Sequence, residues 1–301
     1  LTHPAFTFCD TDLSGIWVGK FEMTGTTDLA TIKPNLKSLV NINISTMFNL
    51  SRSFSTTSSS TYGLNSNEVD SHMMKNMDWG AVAYLTNSRY GRYHDENNCI
   101  ESGCTPWINS TLTDEINKSD DYGNHSRGYF ITGCSGTAFR GDVYISSICQ
   151  DNYDWKNKGV NAATTGNIFG IYDMNGGAFE DAMGVMLNGD GTINYGSSGF
   201  NADNMPDKKY YSTYRFRKND DITSDWWYSD KNGEALNEVY KSKSKGGGWY
   251  SSGTWSVTNF YPWVNRGYDG ETIGYPSIFS FARYTGSGNL NETFRNVITK
   301  N

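Results

Sequence analysis

The stretch YDMNGGAFE, Tyr172–Glu180, lies in the block of this chain most typical of ordered structure. That block runs from Gly166 to Met186 and reads NIFGIYDMNGGAFEDAMGVM after its first glycine. The flanking residues 86–165 and 188–247 are polar and rich in turn formers. We therefore expect regular structure in the block and a loop-rich insertion over 86–165.

Outside the block, the patterns predict short elements. Alternation of apolar and other residues predicts an early strand over Gly15–Thr24. The serine- and threonine-rich stretch 41–68 predicts a loop or poorly ordered surface. An amphipathic pattern predicts a helix over Asp70–Leu85, capped by Asp70 or Ser71. Further short strands are expected near 128–132, near 142–149 and, as a meander, over 249–298.

Composition excludes several classes of protein. The 301 residues are enough for one large domain, and 15% aromatic residues argue against disorder. A net charge of -7 speaks against nucleic-acid binding, because phosphates are held by basic surfaces. No apolar run is long enough to insert directly into a membrane. The chain begins at Leu1 rather than Met, so we expect a processed or shortened form whose anchor, if it has one, lies outside it.

The chain has five cysteines, at positions 9, 99, 104, 134 and 149. Cys99 with Cys104, and Cys134 with Cys149, are candidate disulfides in an oxidising compartment, and up to five free thiols is the alternative. No histidine stands at zinc-ligand spacing from them, so a zinc site is not expected.

Several motifs, in chain order, resemble the formylglycine-generating enzymes. They are Trp17–Thr24 (compare W-x-x-x-Y-E-V-T), Asp78–Tyr84 (E-W-E-Y-A-A), Tyr172–Glu180 (Y-D-M-x-G-N-x-W-E-W), and Arg266-Gly267, Phe281–Arg283 and Phe294-Arg295 (R-G-G-S-W…A-x-R…G-F-R). The resemblance implies an α+β protein with a C-type-lectin-like fold over residues 1–301. Such a fold has a small twisted antiparallel sheet, two helices and extensive irregular loops.

A closer resemblance is to bacterial and phage surface proteins that serve as variable proteins of diversity-generating retroelements. The matching stretches are His3–Phe8, Asp78–Leu85, Thr164–Ala178 and Gly248–Gly267. This resemblance implies an extracellular binding protein, on a bacterial cell surface, a pilus tip or a virion. Its partner would be a host or bacterial surface protein or a glycan, and residues 248–298 would present the ligand-binding face.

The sequence lacks the thiols that the enzymes of this family use. Their reactive cysteines lie between the R-G-G-S-W and A-x-R motifs, and here Arg266–Arg283 contains no cysteine. Serine cannot replace a thiolate as a soft-metal ligand, so we expect no oxidase activity. The four histidines are scattered and no G-x-S-x-G or H-E-x-x-H motif occurs, so a hydrolase is also not expected.

No cofactor is expected, although the resemblance leaves a structural calcium ion open. Glu180 matches the glutamate of the family motif, but Gly177 replaces its asparagine. The loop Asn188–Thr192 looks superficially like a calcium loop but lacks the EF-hand glycine and glutamate, so we interpret it as a plain turn.

The C-terminal segment has the composition of a binding surface. Twelve of the 46 residues from Trp249 to Phe294 are aromatic and five are charged. Tyrosine and tryptophan with serine, glycine and asparagine form adaptable, nearly uncharged contact surfaces. The family motifs assign Trp249, Trp263, Phe279, Phe281 and Phe294 to the core, and Arg266, Arg283 and Arg295 to bracing loops. The predicted ligand-binding residues between them are Trp255, Asn259, Tyr261, Asn265, Tyr268, Asp269, Tyr275, Tyr284, Asn289 and Asn291.

Three functions therefore remain as hypotheses. The first is an adhesin or phage tail receptor-binding protein with a diversified face. The second is an enzyme of the parent family or a hydrolase on the same fold. The third is a structural subunit of a pilus or virion.

Overall fold

The computed structural model describes residues 3–8, 11–57, 59–86, 88, 90–91, 130–134, 154–216, 227–228, 232–236, 253–267 and 278–301. In these ranges it contains two α-helices longer than one turn and several small, mainly antiparallel sheets. This confirms the predicted α+β class. No helix in the described ranges is both long and apolar enough to cross a membrane.

The elements are short and widely spaced along the chain. The helices are α1 (Ile44–Thr56), α2 (Ser59–Tyr62) and α3 (Asn76–Thr86). The strands are β1 (Thr7–Phe8), β2 (Thr11–Asp12), β3 (Trp17–Val18), β4 (Thr24–Gly25), β5 (Ala30–Thr31), β6 (Val69–Met73), β7 (Phe179–Leu187), β8 (Ser212–Phe216), β9 (Trp227–Tyr228), β10 (Trp263–Arg266), β11 (Phe281–Tyr284), β12 (Glu292–Phe294) and β13 (Asn296–Lys300).

The central sheet is built on β7, the strand that follows the YDMNGGAFE stretch. Its order is β11-β10-β7-β8-β9, and β12 pairs with the first residues of β7. Strand β10 runs antiparallel to β7, whereas β8 and β12 run parallel to it. Because β12 comes from the end of the chain, β7 is locked between segments that are remote in sequence.

The chain then leaves this sheet for a second one. After β12, Arg295 is followed directly by β13, which pairs antiparallel with both β3 and β6. The C-terminal strand therefore joins the opening strand to the segment before α3.

The core lies on both faces of β7. Met183 and Val185 pack in a cluster with Met47, Phe48 and Phe54 of α1. Met186 packs on the opposite face of the strand, in a cluster that contains Trp79 and Val82 of α3. A strand buried on both faces reads as a nearly continuous apolar run, as the segment after Glu180 does.

Helix α1 falls within residues 41–68, for which a loop was predicted, so that prediction is wrong there. Its serines contact β6: the Ser71 hydroxyl donates to Ser51 O at 2.8 Å, and Ser55 N donates to Ser71 Oγ at 3.0 Å. The buried Ser55 hydroxyl also accepts from Ser71 N at 3.2 Å, and Ser51 contributes its carbonyl, so the polar face of the helix is joined to β6. Helix propensity alone does not report that pairing.

The predicted helix over Asp70–Leu85 is correct only in its second half. Residues 69–73 form β6, which pairs with β13, and the helix begins at Asn76. The carboxylate that caps the first turn of this helix is Asp78 rather than Asp70, because Asp78 Oδ2 accepts a hydrogen bond from Lys75 N at 3.0 Å. A distant strand overrides the local pattern in this segment.

Other predicted strands are confirmed in part. Within Gly15–Thr24 only Trp17–Val18 and the start of β4 are regular strand. Phe130–Thr132 contains an isolated bridge from Ile131 to Lys37. The predicted meander over 249–298 holds only for β10 and β11, which pair antiparallel. Beyond them it is wrong, because β12 pairs with β7 and β13 pairs with β3 and β6 in another sheet. The strand near 142–149 and most of 86–165 lie outside the described residues.

Replacing Asn43 by alanine should destabilise the protein by about 1 kcal/mol, the usual cost of losing a helix N-cap. Asn43 Oδ1 accepts from Thr46 N at 3.0 Å and from the Ser45 hydroxyl at 3.0 Å. Urea unfolding would measure the loss. Asn49→Ala is the matched control, since Asn49 is exposed within α1 and alanine favours helix. Equal losses in the two variants would contradict the capping role.

Candidate functional site

A tight turn, Thr258–Tyr261, projects from the end of the central sheet where β10 begins. Tyr261 N donates to Thr258 O at 3.1 Å, and Thr258 N donates to Tyr261 O at 3.0 Å. Asn194 Nδ2 donates to Asn259 O at 3.0 Å, which fastens the turn to the segment after β7. Phe260 is 83% exposed and Tyr261 43% exposed.

Arg283, on the edge strand β11, completes this surface. Its Nη1 donates to Ser256 O at 2.9 Å, and its guanidinium carbon lies 5.6 Å from the centre of the Tyr261 ring. The arginine thus braces the loop before the turn, as its framework assignment predicted, and also holds Tyr261 by a cation–π contact. We call Asn259, Phe260, Tyr261 and Arg283 the tip surface.

The tip surface stands on a packed support. Trp263, two residues after Tyr261, is fully buried, and its Nε1 donates to Tyr195 O at 2.9 Å. Gly286 has φ +85°, and a Cβ there would lie 2.7 Å from the Trp263 ring. A side chain at Gly286 is therefore excluded by both its backbone conformation and Trp263. The exposed aromatic groups are held in place by a close-packed core.

The structure brings together only part of the predicted ligand-binding set. Asn259 and Tyr261 lie in the tip surface. Trp255 and Tyr284 are partly buried beside it along β11: Trp255 N donates to Phe281 O at 2.9 Å, and the Tyr284 hydroxyl accepts from Ser287 at 3.3 Å. Tyr268, Asp269 and Tyr275 lie outside the described residues.

The remaining asparagines lie elsewhere. Asn291 O accepts from Phe179 N, and Asn289 is its near neighbour, so both lie where β7 begins. The tip surface lies where β7 ends, roughly 20 Å away for six residues of strand. Both asparagines are partly buried.

Asn265 is not at the surface, so its prediction as an exposed residue is wrong. It is 3% exposed, and its Nδ2 lies 3.4 Å from Glu292 Oε1. Side chains alternate between the two faces of a strand, and all four residues of β10 are buried, so both faces of this strand lie in the interior.

Sequence reasoning missed Phe260, which is 83% exposed in the tip surface. It counted as one aromatic residue among twelve and was assigned to neither core nor surface. The available signal was local: Thr258 before it and Pro262 after it are turn formers on either side of an asparagine. A phenylalanine at a turn tip is presented to solvent rather than to the sheet.

The core aromatic assignments are confirmed for the described residues. Trp263, Phe279, Phe281 and Phe294 are fully buried, whereas Trp249 lies outside the described ranges. Arg266 also braces a loop: its two terminal nitrogens donate to Glu234 O at 3.2 Å and Ala235 O at 3.0 Å.

A closed cluster of charges lies under the sheet. Arg295 is fully buried, donates to both carboxylate oxygens of Glu180, and also donates to Gly19 O at 2.7 Å and Tyr172 O at 2.9 Å. Glu22 accepts from the Ser38 hydroxyl and from Ala178 N at 3.0 Å. Burial and the nearby Asp173 carboxylate raise the pKa of Glu22 well above its ordinary value. This cluster is structural, because solvent does not reach its carboxylates.

His72, one of the four scattered histidines, is also an interior residue. It is fully buried, with Nδ1 3.3 Å from Asp70 and Nε2 3.5 Å from Asp78. Its ring stacks on Phe8 at 5.1 Å between centroids. Hydrogen bonds from His72 and Tyr210 outweigh burial and lower the pKa of Asp70.

A cleft of about 510 Å³ has Lys75, Lys208 and Lys209 among its described lining residues. Lys75 Nζ donates to Lys209 O at 3.2 Å, and Lys209 Nζ lies 3.4 Å from Asp70 Oδ2. Two of its three ammonium groups thus have partners within the protein. The cleft does not present the paired acid and base that hydrolysis needs among those residues.

The Asn188–Thr192 loop and Cys134 were also subjects of sequence predictions. Asn188–Thr192 is a turn, in which Asn188 N donates to Thr192 O at 2.7 Å and the Asp190 carboxylate accepts from Thr192 N at 2.9 Å. Cys134 is buried and disulfide-bonded, which rules out five free thiols. The other four cysteines lie outside the described residues.

Among the described residues, fold and site define an α+β protein with an exposed aromatic surface at one end of the central sheet and with the carboxylates of Glu22 and Glu180 closed to solvent. Comparison of the sequence with protein-family models and with curated protein sequences finds no match. Its function therefore has to be inferred from this geometry.

Proposed function

We propose that this protein is a non-catalytic binding protein with a C-type-lectin-like fold, which binds a protein or glycan through the tip surface and the C-terminal segment around it. The observation behind the proposal is the pair of exposed rings, Phe260 and Tyr261, on a turn braced by Arg283. Aromatic rings with a guanidinium and an amide are the groups that dominate protein and glycan interfaces.

The C-type-lectin-like fold is supported by the way the resembling motifs meet in space. Glu22 of the opening motif accepts from Ala178 N of the central motif, and Glu180 pairs with Arg295 of the closing motif. These residues come from three separate stretches of the chain. Chance matches along a sequence would not be expected to converge on one buried cluster.

The helix motif joins the same arrangement. The Trp79 ring lies 5.3 Å from the Arg266 guanidinium, and its Nε1 donates to Ile278 O at 2.7 Å. A Cβ on Gly267 would lie 3.2 Å from the Trp79 ring. The tryptophan of the helix motif thus packs on the arginine and glycine of the closing motif.

The non-catalytic part of the proposal has chemical support. The described carboxylate clusters are buried, so a substrate in solvent does not reach them. Cys134 is held in a disulfide and is not available as a thiolate. No cofactor forms part of the proposal.

We further propose an extracellular location, on a bacterial surface, a pilus tip or a virion, with a host or bacterial surface protein or glycan as partner. A disulfide supports an oxidising environment. An adhesin and a phage receptor-binding protein would use the same surface chemistry, so one binding assay serves both.

Replacing Asn259, Phe260 and Tyr261 together by alanine should weaken binding at least about tenfold, as expected when a central aromatic contact is lost. The wild-type chain would first be screened on a glycan array and on intact bacterial and host cells, and the variant measured on whatever binds. Unfolding free energy should stay within about 0.5 kcal/mol of wild type, because these are surface positions.

Trp17→Ala is the matched control, since Trp17 is 60% exposed but lies on β3 in the other sheet. It should bind as wild type does. Undiminished binding by the triple variant, or no binding by wild type with assembly into filaments instead, would refute the proposed site. Copper-dependent oxidation of a cysteine peptide would show that the protein is an enzyme.

A further inference from the structure

Two buried carboxylates, Asp181 on β7 and Glu292 on β12, lie together without a positive partner among the described residues. Asp181 is 1% exposed and Glu292 2% exposed. Neither forms an ion pair with a described lysine or arginine. The Arg295 guanidinium is already bound by Glu180. Two uncompensated charges in a protein interior are energetically costly.

Strand pairing places a third oxygen donor beside them. Asn265 on β10 is the register partner of Asp181 on one side, and Phe294 on β12 is its partner on the other. Glu292 is two residues before Phe294, so its side chain emerges on the same face of the sheet as that of Asp181. The Asn265 Nδ2 lies 3.4 Å from Glu292 Oε1, which joins the amide to the carboxylate.

Four oxygen atoms of these side chains are buried without a hydrogen-bond partner. They are Oδ1 and Oδ2 of Asp181, Oε2 of Glu292 and Oδ1 of Asn265. Buried oxygens are almost always paired in native proteins, so four in one place require an explanation. All four are acceptors, and what would satisfy them together is a positively charged group.

We propose that Asp181, Glu292 and Asn265 form a binding site for one divalent cation of the calcium class, buried between β7, β10 and β12. Calcium takes six to eight oxygen ligands from carboxylates, amides and water, and these side chains supply only oxygen. Structural zinc sites are built mainly from cysteine and histidine, and magnesium retains its waters and demands octahedral geometry. The two negative charges match the double positive charge of the ion.

A shared proton is the competing explanation. Burial and the Asp181 carboxylate raise the pKa of Glu292 to about 11 in the ion-free protein, so that Glu292 would be protonated at neutral pH. One proton between the carboxyl groups satisfies one oxygen of each. It leaves the other Asp181 oxygen and Asn265 Oδ1 without partners unless Asp181, whose pKa burial also raises, carries a second proton. A divalent cation bound by the three side chains would neutralise both carboxylates without either proton.

The experiment compares calcium binding and thermal stability of the full chain after treatment with EDTA. Wild type should take up one calcium ion per chain, measured by calorimetric titration and elemental analysis. Excess CaCl2 should raise its Tm by about 5–10 °C, and MgCl2 should raise it less. Asp181→Asn combined with Glu292→Gln should bind no calcium and show no rise.

Asp190→Asn is the matched control, because Asp190 lies in the exposed turn after β7. It should bind calcium as wild type does. Loss of binding in that variant, with binding kept in the double variant, would place the ion in the turn and overturn the proposal. The proposal would also be overturned if the wild type took up no calcium and had the same Tm in EDTA and in CaCl2. In that case the two carboxyl groups are buried in protonated form.

Should the double variant fail to fold, Asn265→Leu provides the test. It removes one oxygen ligand and leaves both carboxylates in place, so calcium affinity should fall at least about tenfold, in line with the loss of a metal-site interaction. An unchanged affinity would exclude Asn265 from the site and overturn the assignment.

Discussion

Arg295→Met should destabilise the protein by about 3–5 kcal/mol, the usual cost of breaking a buried ion pair from one side. Methionine fills much of the space but leaves the Glu180 carboxylate buried and unpaired. It also leaves Gly19 O and Tyr172 O without the donors that lie 2.7 Å and 2.9 Å away in the wild type. Guanidinium unfolding monitored by tryptophan fluorescence would measure the loss.

The loss should grow with pH. Burial raises the pKa of Glu180, and Arg295 opposes that rise, so removing the arginine raises this pKa further. In the variant, Glu180 is protonated in both folded and unfolded states below its unfolded pKa, and the penalty is small there. As pH rises above that value, Glu180 is ionised in the unfolded state. Folding then has to protonate Glu180 or bury its unpaired carboxylate, and the free energy of unfolding falls. The difference between variant and wild type should therefore be larger at pH 8 than at pH 5.

Arg283→Met is the matched control for this experiment. Arg283 is partly exposed, unlike the fully buried Arg295, and its Nη1 donates to Ser256 O. It should cost about 1 kcal/mol or less, without the same dependence on pH. A loss of that size in Arg295→Met would mean that the Glu180 pair does not stabilise the fold.

Trp263→Ala should cost about 3–5 kcal/mol, because it removes a fully buried indole and leaves a cavity. The ring packs against Phe200 at 5.8 Å between centroids, and Tyr195 O would lose its donor. Since Tyr261 and Phe260 come directly before Pro262 and Trp263, ligand binding should fall together with stability. Urea unfolding and the binding assay would be run on the same preparations.

Two further substitutions separate packing from ligand contact. Trp263→Phe keeps most of the apolar volume and loses the indole donor. The lost hydrogen bond should add about 1 kcal/mol to the cost of the lost volume. Trp255→Ala, at a partly exposed position, should affect stability by about 1 kcal/mol or less. If Trp255→Ala proved as destabilising as Trp263→Ala, Trp255 would belong to the framework and not to the binding surface.

Some residues could be placed correctly from the sequence, and others could not. The resemblance to the family motifs identified the buried aromatic residues Trp263, Phe279, Phe281 and Phe294 and the arginines that brace loops. It placed Asn259 and Tyr261 at the surface. It did not find helix α1, because serines paired with a distant strand look like loop residues when read alone. It placed Asn265 at the surface, since nothing local shows that β10 is covered on both faces.

By itself, the sequence predicted the α+β class and the framework aromatic residues through its resemblance to a known family, and it marked the C-terminal segment as unusually rich in aromatic residues. The aromatic content of that segment is a matter of composition, whereas the class and the framework positions were implied by the resembling motifs, each of which is only a few residues long. Only the tertiary structure decided that Phe260 is presented at the tip, that β6 replaces the start of a helix, and that Asp181, Asn265 and Glu292 are buried on neighbouring strands. Each of these depends on pairing between β7, β10, β12 and β13. The register between strands distant in sequence is set by the packing of the whole core, and no local pattern encodes it.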